Sequence, residues 1–193
     1  MYYYNLGDKM LKIRKYEEKD FDGVRFACLN SEGGGGTEEM QRFVLCTFCD
    51  YYIENEPENC FVLDDGGKAV GYVICAENYD RYKKIFDEKY LPKTEQFGPE
   101  KYHWAMTSTQ LHQKYKEKYP AHLHIDLLPE YQRKGFGGKL INTLFDHLRS
   151  KNICGVMLTT GKSNETACNF YKKYGFDLVE ISGDDAAFGM KLL

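Results

Sequence analysis

The sequence predicts a single α/β domain built on a central, mostly antiparallel sheet flanked by helices. Three observations carry this. Residues 121–148, AHLHIDLLPEYQRKGFGGKLINTLFDHL, read as a strand, a glycine-bearing turn and a helix. Residues 60–76 read as a hairpin, two apolar runs joined by Asp64-Asp65-Gly66-Gly67, a strong hairpin signal. The last third of the chain continues with a strand, a helix and two more strands. The full order is strand, two helices, hairpin, helical insertion, strand, helix, strand, helix, two strands.

In chain order, MYYYNLGDKM has neither a basic start nor an apolar core, so residues 1–10 read as a tail and not as a secretory signal. Leu11 to Tyr16 alternates apolar and charged residues, the period of a half-buried strand. Asp20 is a candidate cap for a helix carrying Phe21, Val24, Phe26, Ala27 and Leu29. Ser31 to Gly36, SEGGGG, stops that helix; its glycines suit either a linker or a loop shaping a substrate mouth. Thr37 starts a second helix with Met40, Phe43, Val44, Cys46, Thr47 and Tyr51 facing inward.

Asn78 to Tyr119 is rich in tyrosine and lysine and lacks a strand pattern, so residues 78–119 read as an insertion between two strands. Its aromatics and carboxylates suit a pocket wall for an amine, or a cover for a sheet edge. Pro129 ends the strand Ala121–Leu128 because proline has no N–H for a ladder. The next helix opens between Lys134 and Gly138 and shows Leu140, Ile141, Leu144, Phe145 and Leu148 at helical spacing. Gly155 to Thr160 is a short buried strand. Asn164 caps a helix that Gly175 ends. Residues 176–181 and 187–193 form the last two strands.

With 193 residues the chain is long enough for one domain with a real core, spanning 11–193. The net charge of −3 gives no electrostatic case for nucleic acid or an anionic membrane surface, and no apolar run reaches membrane-spanning length. Seven cysteines, an odd number and mostly in apolar surroundings, fit free thiols in a reducing cytoplasm. Cys46-x-x-Cys49 lacks two further ligands at fitting spacing, so no metal site is expected.

The turn between strand and helix, Gln132-Arg133-Lys134-Gly135-Phe136-Gly137-Gly138, has a physical use. The first turn of a helix leaves amide groups without partners and is electropositive. Glycines let a phosphate approach that backbone, and Arg133, Lys134 and Lys139 add cations. Tight packing is the plainer use. The turn is not a P-loop, because Gly138-Lys139 is followed by Leu140; nor is it a Rossmann fingerprint, whose third glycine position also holds Leu140.

What fits is Gln-x-x-Gly-x-Gly, at Gln132, Gly135 and Gly137. It closely resembles the coenzyme A signature of the GCN5-related N-acetyltransferase (GNAT) superfamily. A second motif, Asn164-x-x-Ala167-x-x-Phe170-Tyr171-x-x-x-Gly175-Phe176, resembles the helix that this superfamily sets beside the acetyl thioester. The element order resembles the GNAT fold over residues 11–193, which implies a sheet of six to seven strands containing a splayed parallel pair. The run Tyr119-Pro-Ala-His-Leu-His-Ile-Asp-Leu-Leu-Pro-Glu-Tyr-Gln also looks like bacterial acetyltransferases related to the C-terminal domain of O-GlcNAcase, and His-Leu-His is similar to the arylalkylamine acetyltransferases.

The resemblance implies acetyl transfer from acetyl-CoA to the amine of a small molecule or peptide, with a homodimer as a common family state. Alternation along the strand sets His122, His124 and Asp126 on one face, with Leu123, Ile125 and Leu127 on the other. Three ionisable groups in a central strand are costly unless paired or reached by water, which argues for a cleft; a hydrogen-bonded core histidine is the alternative for either imidazole. An amine of pKa about 10.4 must lose a proton before attack, and Asp126, His122 and His124 are the candidate bases. The resemblance makes Tyr171 the acid for the departing thiolate. It also implies that Asp126, Leu127 and Leu128 pair with the pantetheine arm, that Arg133, Lys134, Gly135, Phe136, Gly137 and Gly138 surround the pyrophosphate with Gln132 at the turn, and that Asn164 and Tyr171 touch the arm. A strand N–H near Leu127 would stabilise the carbonyl oxygen. A catalytically silent binding module and an acyl donor other than acetyl are the competing readings. Antibiotic, polyamine, amino sugar and protein N-terminus all remain open as acceptors.

Overall fold

The structure, a computed structural model, describes residues 2–6 and 9–193. The elements in order are β1 (Tyr2–Leu6), β2 (Lys9–Lys15), α1 (Phe21–Asn30), α2 (Glu38–Phe48), α3 (Asp50–Asn55), β3 (Phe61–Asp65), β4 (Lys68–Ala76), α4 (Tyr79–Lys89), α5 (Leu91–Thr94), α6 (Pro99–Thr107), α7 (Gln110–Tyr115), β5 (Ala121–Leu127), α8 (Phe136–Ser150), β6 (Gly155–Gly161), α9 (Glu165–Lys173), β7 (Asp177–Ser182) and β8 (Asp185–Lys191). One sheet runs β1-β2-β3-β4-β5-β6-β8-β7. Every described neighbouring pair is antiparallel except β5–β6.

The expected mixed sheet is present, with eight strands in place of six to seven. The extra one is β1. The tail expected over residues 1–10 is corrected for 2–6 and 9–10, which pair from Tyr2↔Ile13 to Leu6↔Lys9; residues 1, 7 and 8 lie outside the described residues. Three tyrosines in a row favour a strand, and an edge strand needs only the one neighbour that β2 supplies.

The insertion lies between β4 and β5, as the sequence predicts. The two strands pair directly up to Ala76↔His122, and Tyr79 N–H donates to Pro120 C=O at 3.0 Å where the insertion closes. Its α7 also reaches the edge strand β7, where Lys114 and Tyr115 both donate to Glu180 at 2.5 Å. Its helices pack on the sheet face that carries His122, where Tyr82 and His112 meet the imidazole at 4.5 and 4.8 Å between ring centres. α3 joins them through Tyr52. The opposite face receives α8, whose apolar stripe of Leu140, Ile141, Leu144, Phe145 and Leu148 is buried as its spacing predicts. Among the described residues no helix is long and apolar enough to cross a membrane.

Asp20 precedes α1 but makes no side-chain cap there. It is committed instead to a buried charge network. Arg14 on β2 donates to both Asp20 oxygens, at 2.5 and 2.8 Å, and its Nε donates to Asp64 at 2.7 Å. All three residues are almost fully buried. The network ties β2, the entry to α1 and the β3–β4 turn, where Asp64 also accepts from Gly67 N–H. Replacing Arg14 by methionine strands two buried carboxylates; urea denaturation is expected to show a loss of about 3–5 kcal/mol.

Candidate active site

The pairing of β5 with β6 begins at Ala121↔Val156, continues to His122↔Met157 and stops. Beyond it the two strands part, although β5 remains fully paired with β4 on its other side. Leu128 N–H donates to Val70 C=O, which fixes the alternation of this antiparallel ladder. His122, His124 and Asp126 therefore turn their backbone groups to β4. Leu123, Ile125 and Leu127 turn theirs to the gap. This corrects the expectation for Asp126 and Leu128: their amides belong to β4, and Ile125 and Leu127 offer the edge groups. The register, which sequence does not reveal, decides it. The Leu127 carbonyl is already taken by Gln132 Nε2 at 2.8 Å, so its N–H is what remains.

A cleft of about 820 Å³ opens at the gap. Ile125, Asp126 and Leu127 line one wall, Asn164, Phe170 and Tyr171 the other, and the β5–α8 turn the end. That turn bends through Arg133 at φ 55° and Gly135 at φ 81°, left-handed conformations that glycine adopts freely and arginine does not. Among the described residues, none accepts a hydrogen bond from the backbone N–H groups of residues 133–138. Consecutive amides left in this way make an anion-binding concavity at the mouth of α8.

The side chains of the turn divide the work differently from the sequence reading. Gln132 does not point at a ligand: it donates to Leu127 C=O and to Ser31 C=O at 2.6 Å, bracing the turn against β5 and the end of α1. Lys134 folds back onto Glu130 C=O, and the Phe136 ring is buried against Tyr4, so each offers only its amide to the turn. Arg133, Lys139 and Lys173 supply the cations that border the cleft. Gly138 is required for packing: a Cβ there would lie 2.5 Å from the Tyr174 ring, whose hydroxyl donates to Gly138 C=O.

Asn164 and Tyr171 come from α9. Asn164 Oδ1 accepts from Ala167 N–H at 3.0 Å, the cap the sequence predicts, and its Nδ2 reaches Glu32 across the cleft at 3.3 Å. Tyr171 is held by the helix end. Phe176 N–H donates to Tyr171 C=O, Gly175 N–H donates to Lys172 C=O, and Gly175 sits at φ 94°, the double bond of a glycine C-cap. Phe170, Phe176 and Phe188 pack around the ring. Burial pushes the Tyr171 phenol above its ordinary range.

The three candidate bases separate. His122 lies under the insertion, boxed by Tyr52, Tyr79, Tyr82 and His112, with both ring nitrogens buried and unpartnered. Burial holds it well below the normal histidine range, and it does not line the cleft. His124 meets Tyr52 Oη at 3.1 Å and packs against Phe48; burial lowers its pKa to about 4. Asp126 borders the cleft. Burial raises its pKa to about 6, against the opposing pull of hydrogen bonds from Tyr72 and Ser31. Of the two that titrate nearest neutrality, Asp126 has the higher proton affinity and the cleft position. Ser31 and Glu32 line the cleft, in keeping with the mouth-loop reading of residues 31–36, whereas Tyr72 reads in the sequence only as core.

The model of the acetyltransferase (GNAT) family matches residues 25–176. The chain belongs to the GNAT family. Among solved structures similar to this chain, the crystal structure of SsHAT is 28% identical and superposes with a TM-score of 0.84 over 95% of this chain and 98% of that one. A PaiA N-acetyltransferase from Thermoplasma acidophilum, solved with coenzyme A, shares the GNAT fold at 17% identity and a TM-score of 0.62, over 94% and 98% of the two chains. Streptothricin acetyltransferase A of Bacillus subtilis (strain 168) is 35% identical over 52 residues, which is 27% of this chain and 30% of the length of that relative.

Two outcomes are expected at this site. Gly138→Ala drives a methyl into Tyr174; calorimetry should show loss of coenzyme A binding, and thermal melts a cost of about 1–3 kcal/mol. Asp126 has a folded pKa above its unfolded value, so its contribution is favourable below the unfolded value of 3.8 and is lost as pH rises through about 6. Asp126→Asn should therefore be more stable than the parent above pH 6, on the order of 1–3 kcal/mol, with the advantage shrinking to nothing as pH falls through 4 in parallel denaturation series.

Proposed function

We propose that this GNAT protein transfers the acetyl group of acetyl-CoA to a primary amine of a small molecule or peptide, by direct attack with both substrates bound. One observation carries the reading: a single cleft runs from the unpartnered amides of residues 133–138, along the free edge of β5, to Asp126 and Tyr171. A diphosphate, an amide-bearing arm and a thioester match those three stations in sequence. Bound acetyl-CoA supplies the activated acyl group, and the chain supplies the rest. The turn amides with Arg133, Lys139 and Lys173 hold the diphosphate. Ile125 pairs with the arm as a strand would, and the Leu127 N–H, the group that residue has left, faces the carbonyl oxygen as charge develops there.

Asp126 takes the proton of the incoming ammonium. A base with pKa about 6 is ionised at neutral pH and still holds a proton more firmly than an ordinary carboxylate, the compromise that general base catalysis favours. Tyr171 gives a proton to the leaving sulfur; its raised pKa keeps it protonated until the thiolate forms. The Glu32 and Asp126 carboxylates at this end of the cleft favour a cationic acceptor. The unfilled amide turn argues against a silent binding module, which would have no use for it.

A panel of amines assayed for free thiol release tests the activity. Tyr171→Phe is expected to lower kcat by about 10²–10⁴-fold, with coenzyme A affinity retained. Undiminished turnover in that variant removes Tyr171 from the chemistry, and absence of heat when coenzyme A is titrated into the parent protein removes the acyl-transfer reading altogether.

A further inference from the structure

Tyr72 sits on β4 directly opposite Asp126, in a residue pair of the kind that exchanges backbone hydrogen bonds. Its side chain is fully buried, and its hydroxyl donates to Asp126 Oδ2 at 2.5 Å. The two strands are held close at this point: a Cβ at the adjacent Gly71 would lie 2.9 Å from Leu127 Cγ and 3.1 Å from Asp126 C=O, so only glycine fits. Asp126 borders the cleft, whereas Tyr72 lies beneath it. One carboxylate oxygen is thus committed to the interior. The rest of the carboxylate borders the cleft.

We infer that Tyr72 is a positioning residue for the acyl transfer: its hydroxyl fixes the rotation of the Asp126 carboxylate, stabilises the ionised form, and so sets the lower pH limit of activity. This rests on the reading of Asp126 as the proton acceptor. A charge in a buried site needs hydrogen-bond donors, and a bond to a charged acceptor is among the stronger ones. The phenol itself stays protonated, since burial and the neighbouring carboxylate both push it up. The other groups facing the pair are few. Ser31 and Glu32 approach Asp126 from the loop after α1, Tyr171 faces it from α9, Cys28 and Cys49 face Tyr72 from α1 and the α2–α3 junction, and His124 shares the strand face. Of these, Ser31 supplies the only other stabilising hydrogen bond to the carboxylate among the described residues, so Tyr72 has no full substitute.

Tyr72→Phe removes one oxygen from a well-packed site and preserves its shape. Two measurements separate the possibilities: the pH profile of kcat, and the titration of the Asp126 carboxyl by carbon NMR with Asp126→Asn identifying the signal. The expected result is an upward move of both midpoints, from about 6 in the parent protein, by about one to two pH units. kcat at pH 7 should fall about tenfold or more while the KM for acetyl-CoA holds, and Tyr72→Phe should add nothing in an Asp126→Asn background. If neither midpoint moves, Tyr72 is a packing residue and the inference is overturned. If the carboxyl midpoint moves and the kinetic one does not, the Tyr72–Asp126 pairing stands and the assignment of Asp126 as proton acceptor falls instead.

Discussion

An abandoned hydrogen-bond ladder governs this molecule. A parallel strand pair that runs for two residue pairs and then parts leaves amides and carbonyls on the exposed edge of β5. Such groups, if buried, must find partners. The protein keeps them open to a cleft, and the rest of the structure holds the two strands apart. β5 is fixed by its long antiparallel ladder with β4, and β6 by its ladder with β8, seven residue pairs from Gly155 to Gly161. Neither strand can drift back toward the other without breaking a completed ladder on its far side.

The same economy explains the turn into α8. Its amides are free because the braces act from elsewhere: Gln132 secures the turn to β5 and to Ser31, Tyr174 secures the first helical residues through Gly138, and Lys139 lies over the Tyr4 ring at 3.6 Å. A side chain capping the helix in the usual way would have stabilised it locally and closed the anion site. α8 has no such cap, only Gly135.

Most of the fold was legible because its signals are local. Glycine turns, the hairpin, the Asn164 cap and the apolar stripe of α8 are each written within a few neighbouring residues. The catalytic candidates were half legible. Alternation correctly grouped His122, His124 and Asp126, but depth along the strand is a tertiary property, and only packing by Tyr82 and His112 shows that His122 is enclosed. Which amides of β5 face the gap depends on register with β4, and Tyr72 inside Val-Gly-Tyr-Val looks like any core tyrosine until its partner is known. Residues 2–6 were misjudged because an edge strand needs only one neighbour, and that neighbour's availability is invisible in sequence.

The helical insertion leaves the sheet at Ala76 and returns at His122, and those two residues are cross-strand neighbours. Its ends are therefore already closed by the ladder, and lengthening or shortening it changes the chain entropy only logarithmically. The segment that roofs the His122 face is anchored at a point the sheet itself already holds shut.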